Sequence, residues 1–223
     1  MLRLLIVLLS VVIALAGSRM SQAQSPQIVN KPIIFDDERT QLSLEYMNNH
    51  YGMAPSSPVI TPKMIVVHWT VYPTLTQSYQ AFYPATLPPS RAGIQHASTL
   101  NVSSQYMIDR DGTIYQLMPD TLMARHVIGL NYCAIGIENI GDGKAHPLTE
   151  AQFEANVRLI SYLAKKYPVD YLIGHHEYRK FIDHPLWKER DPTYFTDKDD
   201  PGDAFMDRLR DCLSTFHFKG APH

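Results

Sequence analysis

Two histidines that each close a short apolar run, and a lysine and an aspartate two residues apart, carry the chemistry of this sequence. His68 ends Met64-Ile65-Val66-Val67-His68, and His175 ends Tyr171-Leu172-Ile173-Gly174-His175. Runs so apolar and so rich in β-branched residues read as strands covered on both faces. A lone histidine after a strand is more often a satisfied structural residue, but adjacent strands would bring these two to one sheet edge, where active sites gather. Lys198 and Asp200, stopped by Pro201-Gly202, would project to one side of an extended segment, because side chains alternate with period two. Two neutral imidazole nitrogens and one carboxylate suit zinc and leave a fourth position open for water, which is the pattern of a catalytic metal.

A base must sit beside such a metal. Glu138 lies in the strand-like run Ala134-Ile135-Gly136-Ile137-Glu138-Asn139-Ile140, on the same face as Gly136. A glycine there is expected to leave space over the sheet for a ligand to approach. Glu138 is either neutralised by a buried lysine or arginine or serves as a general base whose proton affinity is set by burial and a nearby cation. Lys198 is a candidate to stabilise the charge that develops on a carbonyl oxygen.

Rival ligands are weaker. Asp191 follows Lys188 by three residues and not two, which in an extended segment turns the side chains apart, and no glycine follows Pro192. His176 is next to His175, so only one of the two should reach the metal. His126 falls in a loop, either solvated or lining a pocket. The order His175-His176-Glu177 does not match the His-Glu-x-x-His helix of zinc proteases.

The elements that position these groups can be read in order. Residues 1–23 have an apolar core behind Arg3 and small residues up to Ala23, as in a secretory signal peptide; the run is shorter than the roughly 20 residues of a membrane span. Export to a periplasm or the medium is therefore expected, with no membrane span after signal removal. Residues 24–62 read as an extension with a short helix from Asp36 to His50, residues 63–216 as one α/β domain, and residues 217–223 as a fraying tail. Lys and Arg total 20 against 22 Asp and Glu, without blocks, so nucleic acid is not an expected partner. Export would permit a bridge between the two cysteines, Cys133 and Cys212, if they are neighbours.

Tyr72 to Leu100 reads as a loop with one short helix, whose aromatic residues either floor a groove or pack the loop down. Asp111-Gly112 between two alternating runs predicts a β-hairpin. Thr149 and Gln152 have capping-box spacing, and Phe153, Val157, Ile160, Leu163, Ala164 and Tyr167 recur as one helix face ended by Pro168. A last helix starts near Pro201.

Together, Val66-Val67-His68-Trp69-Thr70, Ser103 through Gly112, Ile135-Gly136-Ile137-Glu138, Ile173-Gly174-His175 and Lys198 through Gly202 resemble, in that order, the zinc-dependent N-acetylmuramoyl-L-alanine amidases of the type 2 family, whose fold is shared with peptidoglycan recognition proteins. The resemblance covers roughly Lys63 to Phe205. It implies a mixed central β-sheet flanked by helices and hydrolysis of the amide between N-acetylmuramic acid and L-alanine in peptidoglycan or muropeptides. It implies zinc on His68, His175 and Asp200, with Glu138 as catalytic carboxylate and Lys198 as transition-state partner. His126 would fall near the substrate, and Asn131 close behind it is a second substrate-binding candidate. Gln105 stands where many members carry histidine, and the 25 positions from His175 to Asp200 exceed the connection in compact members, so residues 181–196 are expected to reshape one cleft wall. The alternative is a module that binds wall without cutting it; such relatives typically lose a metal ligand.

Overall fold

The computed structural model describes residues 25–222, so the expected leader lies outside the described residues. One six-stranded sheet runs through the molecule in the order β1-β4-β3-β5-β2-β6. Its strands are β1 (Ile28–Asn30), β2 (Met64–Trp69), β3 (Tyr106–Ile108), β4 (Ile114–Gln116), β5 (Ala134–Asn139) and β6 (Tyr171–Gly174). Every neighbouring pair is parallel except β3 with β4, which form the expected hairpin. At its turn Gly112 has φ +85°, and a Cβ there would lie 2.7 Å from the Ala151 carbonyl oxygen. Only glycine satisfies both demands.

Alternation along the central strands sorts their side chains into two cores. Met64, Val66, Ala134 and Ile173 face one side, where Tyr46 and Met47 of helix α1 (Asp37–Tyr51) cover them. Ile65, Val67, Ile135 and Leu172 face the other, against Leu159 and Ile160 of α3 (Glu150–Lys166) and Met206 and Leu209 of α4 (Asp203–Cys212). A short α2 (Leu75–Phe82) sits in the long loop after β2. The segment expected as an N-terminal extension is thus part of the fold: it supplies β1 to the sheet and α1 to the core. α1 begins where Asp36 accepts a hydrogen bond from the Arg39 N–H and ends at Gly52 in the left-handed region.

The capping box of α3 forms as its sequence predicts, but the buried face differs by one position. Asn156 and Leu159 are buried where Val157 and Ala164 were expected to be, and these two are only half-buried. The reason is polar. Asn156 Nδ2 donates to Asn139 Oδ1 at 2.7 Å, and Asn139 Nδ2 donates to the His68 carbonyl at 3.0 Å. A helix face that must supply these donors cannot be wholly apolar.

The tail does not fray at Phe216. β6 is an edge strand with open backbone groups, and residue 219 fills them: Leu172 N–H donates to the Lys219 carbonyl at 3.1 Å and Lys219 N–H to the Asp170 carbonyl at 2.8 Å. Cys133 is buried, Cys212 is exposed, and both are free, so the bridge is not formed. No helix among the described residues is long and apolar enough to cross a membrane.

Candidate metal centre

Strand register builds the site. His68 stands opposite Glu138, and Val67 opposite Gly174, so His175 follows one residue later beside His68 at the carboxyl ends of β2 and β6. His175 is also the first residue of a 3-10 turn, which frees its ring from strand alternation. The two rings meet at 65° with centroids 4.4 Å apart. Asp200 arrives on the extended segment before α4. Its Oδ2 lies 3.0 Å from His175 Nδ1 and 3.3 Å from His68 Nδ1.

The other adjacent histidine anchors this segment from outside. The Asp200 carbonyl accepts the His176 N–H at 2.9 Å and also contacts His176 Nδ1 at 2.9 Å, while His176 Nε2 meets Asp203 at 2.9 Å. Asp199 turns outward to Lys144, and Lys198, exposed, returns to the same cleft as Asp200. The two-residue alternation read from sequence therefore holds. Asp191 is elsewhere, with its carboxylate bound to the N–H and hydroxyl of Thr193.

The donor set fits a metal. One ligand atom from each of His68, His175 and Asp200 lies within 4.8 Å of the others, and all three residues are buried. Burial, joined by repulsion from His68, pushes His175 down to about 4 despite the attraction of Asp200. Burial alone would raise the Asp200 carboxyl, but the two imidazoles hold it well below the ordinary carboxylate range. A neutral His175 and an ionised Asp200 are the protonation states that coordination requires of them.

His126 acts from behind this group. Its Nδ1 is 3.0 Å from His68 Nε2, and its Nε2 is 3.4 Å from the Ala134 carbonyl. Burial holds the ring neutral, with its pKa well below the usual value. A neutral ring that donates from Nε2 to a carbonyl has Nδ1 as acceptor, so His68 donates from Nε2 and presents the lone pair of Nδ1 to the centre. Asn131 Oδ1 accepts the N–H groups of His126 and Val127, both at 2.8 Å, and its Nδ2 donates to Tyr51 at 2.9 Å. Both expected substrate-binding residues border the cleft, yet the polar atoms of Asn131 are committed to holding the His126 loop.

The space above Gly136 corrects an expectation. A Cβ there would lie 2.8 Å from His126 Cγ. The missing side chain makes room for a histidine of the protein itself and not for an arriving ligand. Gln105, in the position where histidine is common in the resembling family, accepts the Gly136 N–H at 2.7 Å and donates to the Leu122 carbonyl at 2.8 Å.

Glu138 has no pairing cation within salt-bridge distance among the described residues, and its Oε2 is buried without a hydrogen-bond partner. Burial raises its pKa to about 7, opposed by His68 and helped by Asp200. It borders the same cleft as the three ligand candidates. The inserted segment contributes Tyr194 and Thr196 to one wall. Of the loop aromatics, Phe82 reaches the cleft, while Tyr79 bonds the Pro32 carbonyl and packs on Tyr83. Tyr46, Arg91 and Arg125 also border it; no local pattern marked them, since each is recruited from an element distant in sequence.

A family model described as N-acetylmuramoyl-L-alanine amidase matches residues 58–203, more than half of the chain. The chain belongs to that type 2 amidase family. Solved structures share the amidase fold. Endolysine N-acetylmuramoyl-L-alanine amidase LysCS from Clostridium intestinale superposes with a TM-score of 0.55 at 21% identity, over 86% of this chain and 98% of that one. N-acetylmuramoyl-L-alanine amidase LysC from the same organism gives 0.55 at 22%, over 85% and 98%. Human PGRP-IBETAC, solved in complex with glycosamyl muramyl pentapeptide, gives 0.50 at 18%, over 73% and 89%. At such identities the likeness is one of fold. A search of curated proteins finds no match.

Proposed function

We propose that this amidase-family protein hydrolyses the amide between the lactyl group of N-acetylmuramic acid and L-alanine, with zinc held by His68, His175 and Asp200. The observation that carries the reading is the juxtaposition, on one cleft floor, of three converging donor atoms and a buried carboxylate oxygen without a partner. A zinc ion there would supply Lewis acidity toward water and toward the amide carbonyl. In this reading Glu138 accepts the proton of the attacking water and returns it to the departing nitrogen, and an affinity near neutrality suits both transfers. Lys198, on the cleft side of its segment, offsets the charge that develops on the carbonyl oxygen. His126 and Asn131 keep His68 in the required tautomer and orientation. The family match and the PGRP structure solved with a muramyl peptide support peptidoglycan or muropeptides as the substrate class. Action outside the cytoplasm, in a periplasm or the medium, completes the proposal and rests on the leader-like residues 1–23.

Purified wall incubated with the protein, with zinc or with a chelator, tests the reading. New L-alanine amino termini should appear with zinc and stop with the chelator. Retention on the wall without new termini under either condition would instead identify a module that binds and does not cut.

A further inference from the structure

A histidine outside the cleft joins two of the segments that border it. His50 is buried in the last turn of α1. Its Nδ1 lies 2.8 Å from Glu189 Oε1, and its Nε2 lies 3.0 Å from the Ala97 carbonyl oxygen. Glu189 belongs to the inserted segment 181–196, which brings Tyr194 and Thr196 to the cleft. Ala97 belongs to residues 85–101, which bring Ile94 to it. Buried Arg125 links the same two segments, donating to the Ile94 and Ser98 carbonyls, each at 3.1 Å, and to the Tyr194 hydroxyl at 2.9 Å.

Both ring nitrogens of His50 therefore face acceptors. A neutral imidazole has one N–H, so it can serve Glu189 or Ala97 but not both, and the unserved oxygen would face a lone pair. Only the imidazolium fastens the two. Burial pulls the His50 pKa down and so does the field of Arg125, but Glu189 and the Ala97 carbonyl carry it above 6.5. The carboxyl end of α1 adds to that attraction. The Tyr46 ring stacks on His50 with centroids 4.1 Å apart, and Tyr194 lies at 5.2 Å. Asp191 feels the charge of His50 and of His96, and Tyr51 feels Glu189. The Glu189 side chain is 1% exposed, and its Oε2 has no hydrogen-bond partner, so water does not stand in for the ring. Its Oε1 also accepts the N–H groups of Arg190 and Asp191, each at 3.0 Å. The clasp is thus complete at low pH and comes undone as pH rises through the raised folded value.

We infer that His50 is a positioning residue that fastens residues 85–101 to the inserted segment while both its ring nitrogens carry hydrogens, holding the cleft in the shape that receives substrate. Its consequence for hydrolysis rests on the amidase reading above, but the clasp itself is measured without it. Hydrogen exchange on the zinc-loaded full chain, followed against pH and corrected for the intrinsic rise in exchange, reads the Leu87 and Asn101 amides on one side and those of Lys188 and Tyr194 on the other. These N–H groups bond within or beside the two segments. Their protection should fall together by about 10-fold or more at one midpoint above pH 6.5, the range for a hydrogen bond to a charged group, while amides of β5 stay unchanged. His50→Gln should abolish the step. Glu189→Gln should move it to lower pH, because the charge that retains the proton is gone. Across the same step the apparent KM for a soluble muropeptide should rise by about 10-fold with kcat little altered, and in His50→Gln it should be flat in pH. A merely structural role would lower protection at every pH and leave no midpoint to move. No step in the natural protein, or a midpoint unmoved in Glu189→Gln, overturns the inference, as does a step in protection with KM constant. If no hydrolysis occurs at any pH, the amidase reading fails while the exchange result still decides whether the clasp exists.

Discussion

Replacing Gly136 by alanine tests the architecture behind the candidate metal centre most directly. The added methyl would lie 2.8, 2.9 and 3.0 Å from three atoms of the His126 ring. The first two are closer than real Cβ contacts, and the ring cannot swing away freely: it is buried, and its backbone is pinned by Asn131. Overpacking of this kind costs about 1–3 kcal/mol. Loss of the His126–His68 contact adds about 0.5–1.5 kcal/mol, while alanine recovers about 0.5–1 kcal/mol of backbone entropy in a strand. The middle of these ranges nets about 2 kcal/mol of destabilisation, or roughly 4–8 °C in melting temperature for a chain of this size. Because His68 would lose the partner that fixes its tautomer, zinc affinity should fall by roughly 10- to 100-fold. Thermal melting and zinc titration against a chromophoric chelator measure the two effects. If the variant melts and binds zinc like the natural protein but loses substrate affinity, the glycine makes room for a ligand after all, and the account of His126 is wrong.

Asp200→Ala should abolish zinc binding and wall hydrolysis, whereas Asp191→Ala, outside the centre, should change neither; equilibrium dialysis with metal analysis decides. Glu138→Gln should retain zinc yet lose on the order of 100- to 10,000-fold in the rate of L-alanine terminus release, and a smaller loss would assign the proton transfer elsewhere. Burial pulls the His50 pKa down, but its contacts with Glu189 and the Ala97 carbonyl outweigh this, and the net shift is upward from 6.5. That pair therefore stabilises the fold fully below the unfolded value and progressively less as pH rises through the higher folded value. The difference in unfolding free energy between the natural protein and His50→Gln should shrink over that interval, and a difference flat in pH would contradict the pairing. Removing residues 217–223 should cost about 1–3 kcal/mol in denaturant unfolding, because two edge hydrogen bonds and the packing of Phe218 are lost. An unchanged midpoint would mean that the tail does not cover β6.

Much of the site was legible because its signals are local. The apolar runs before His68 and His175 and the Asp-Gly turn depend on neighbours within a few residues, and so do the capping box at Thr149 and the two-residue spacing of Lys198 and Asp200. Each also formed as read. What escaped depends on contacts distant in sequence. Nothing around Gly136 announces that a ring from residue 126 fills the space above it. The helix pattern of α3 favoured Val157 over Asn156 because hydrophobicity cannot anticipate that Asn139 will need a donor. The tail looked unstructured because its partner, the edge of β6, is visible only once the strand order is known. Arg91 was unremarkable for the same reason, being a single cation in a proline-rich loop.

The amide relay from Asn156 through Asn139 to the backbone of His68 ties the helix layer on the far side of the sheet to the edge that carries the candidate metal centre. Substitutions on the inward surface of that helix can therefore alter how the first imidazole is aimed without any residue of the groove changing. The two sides of the sheet do not vary independently, and a search for variants that tune hydrolysis has reason to include positions that no substrate will touch.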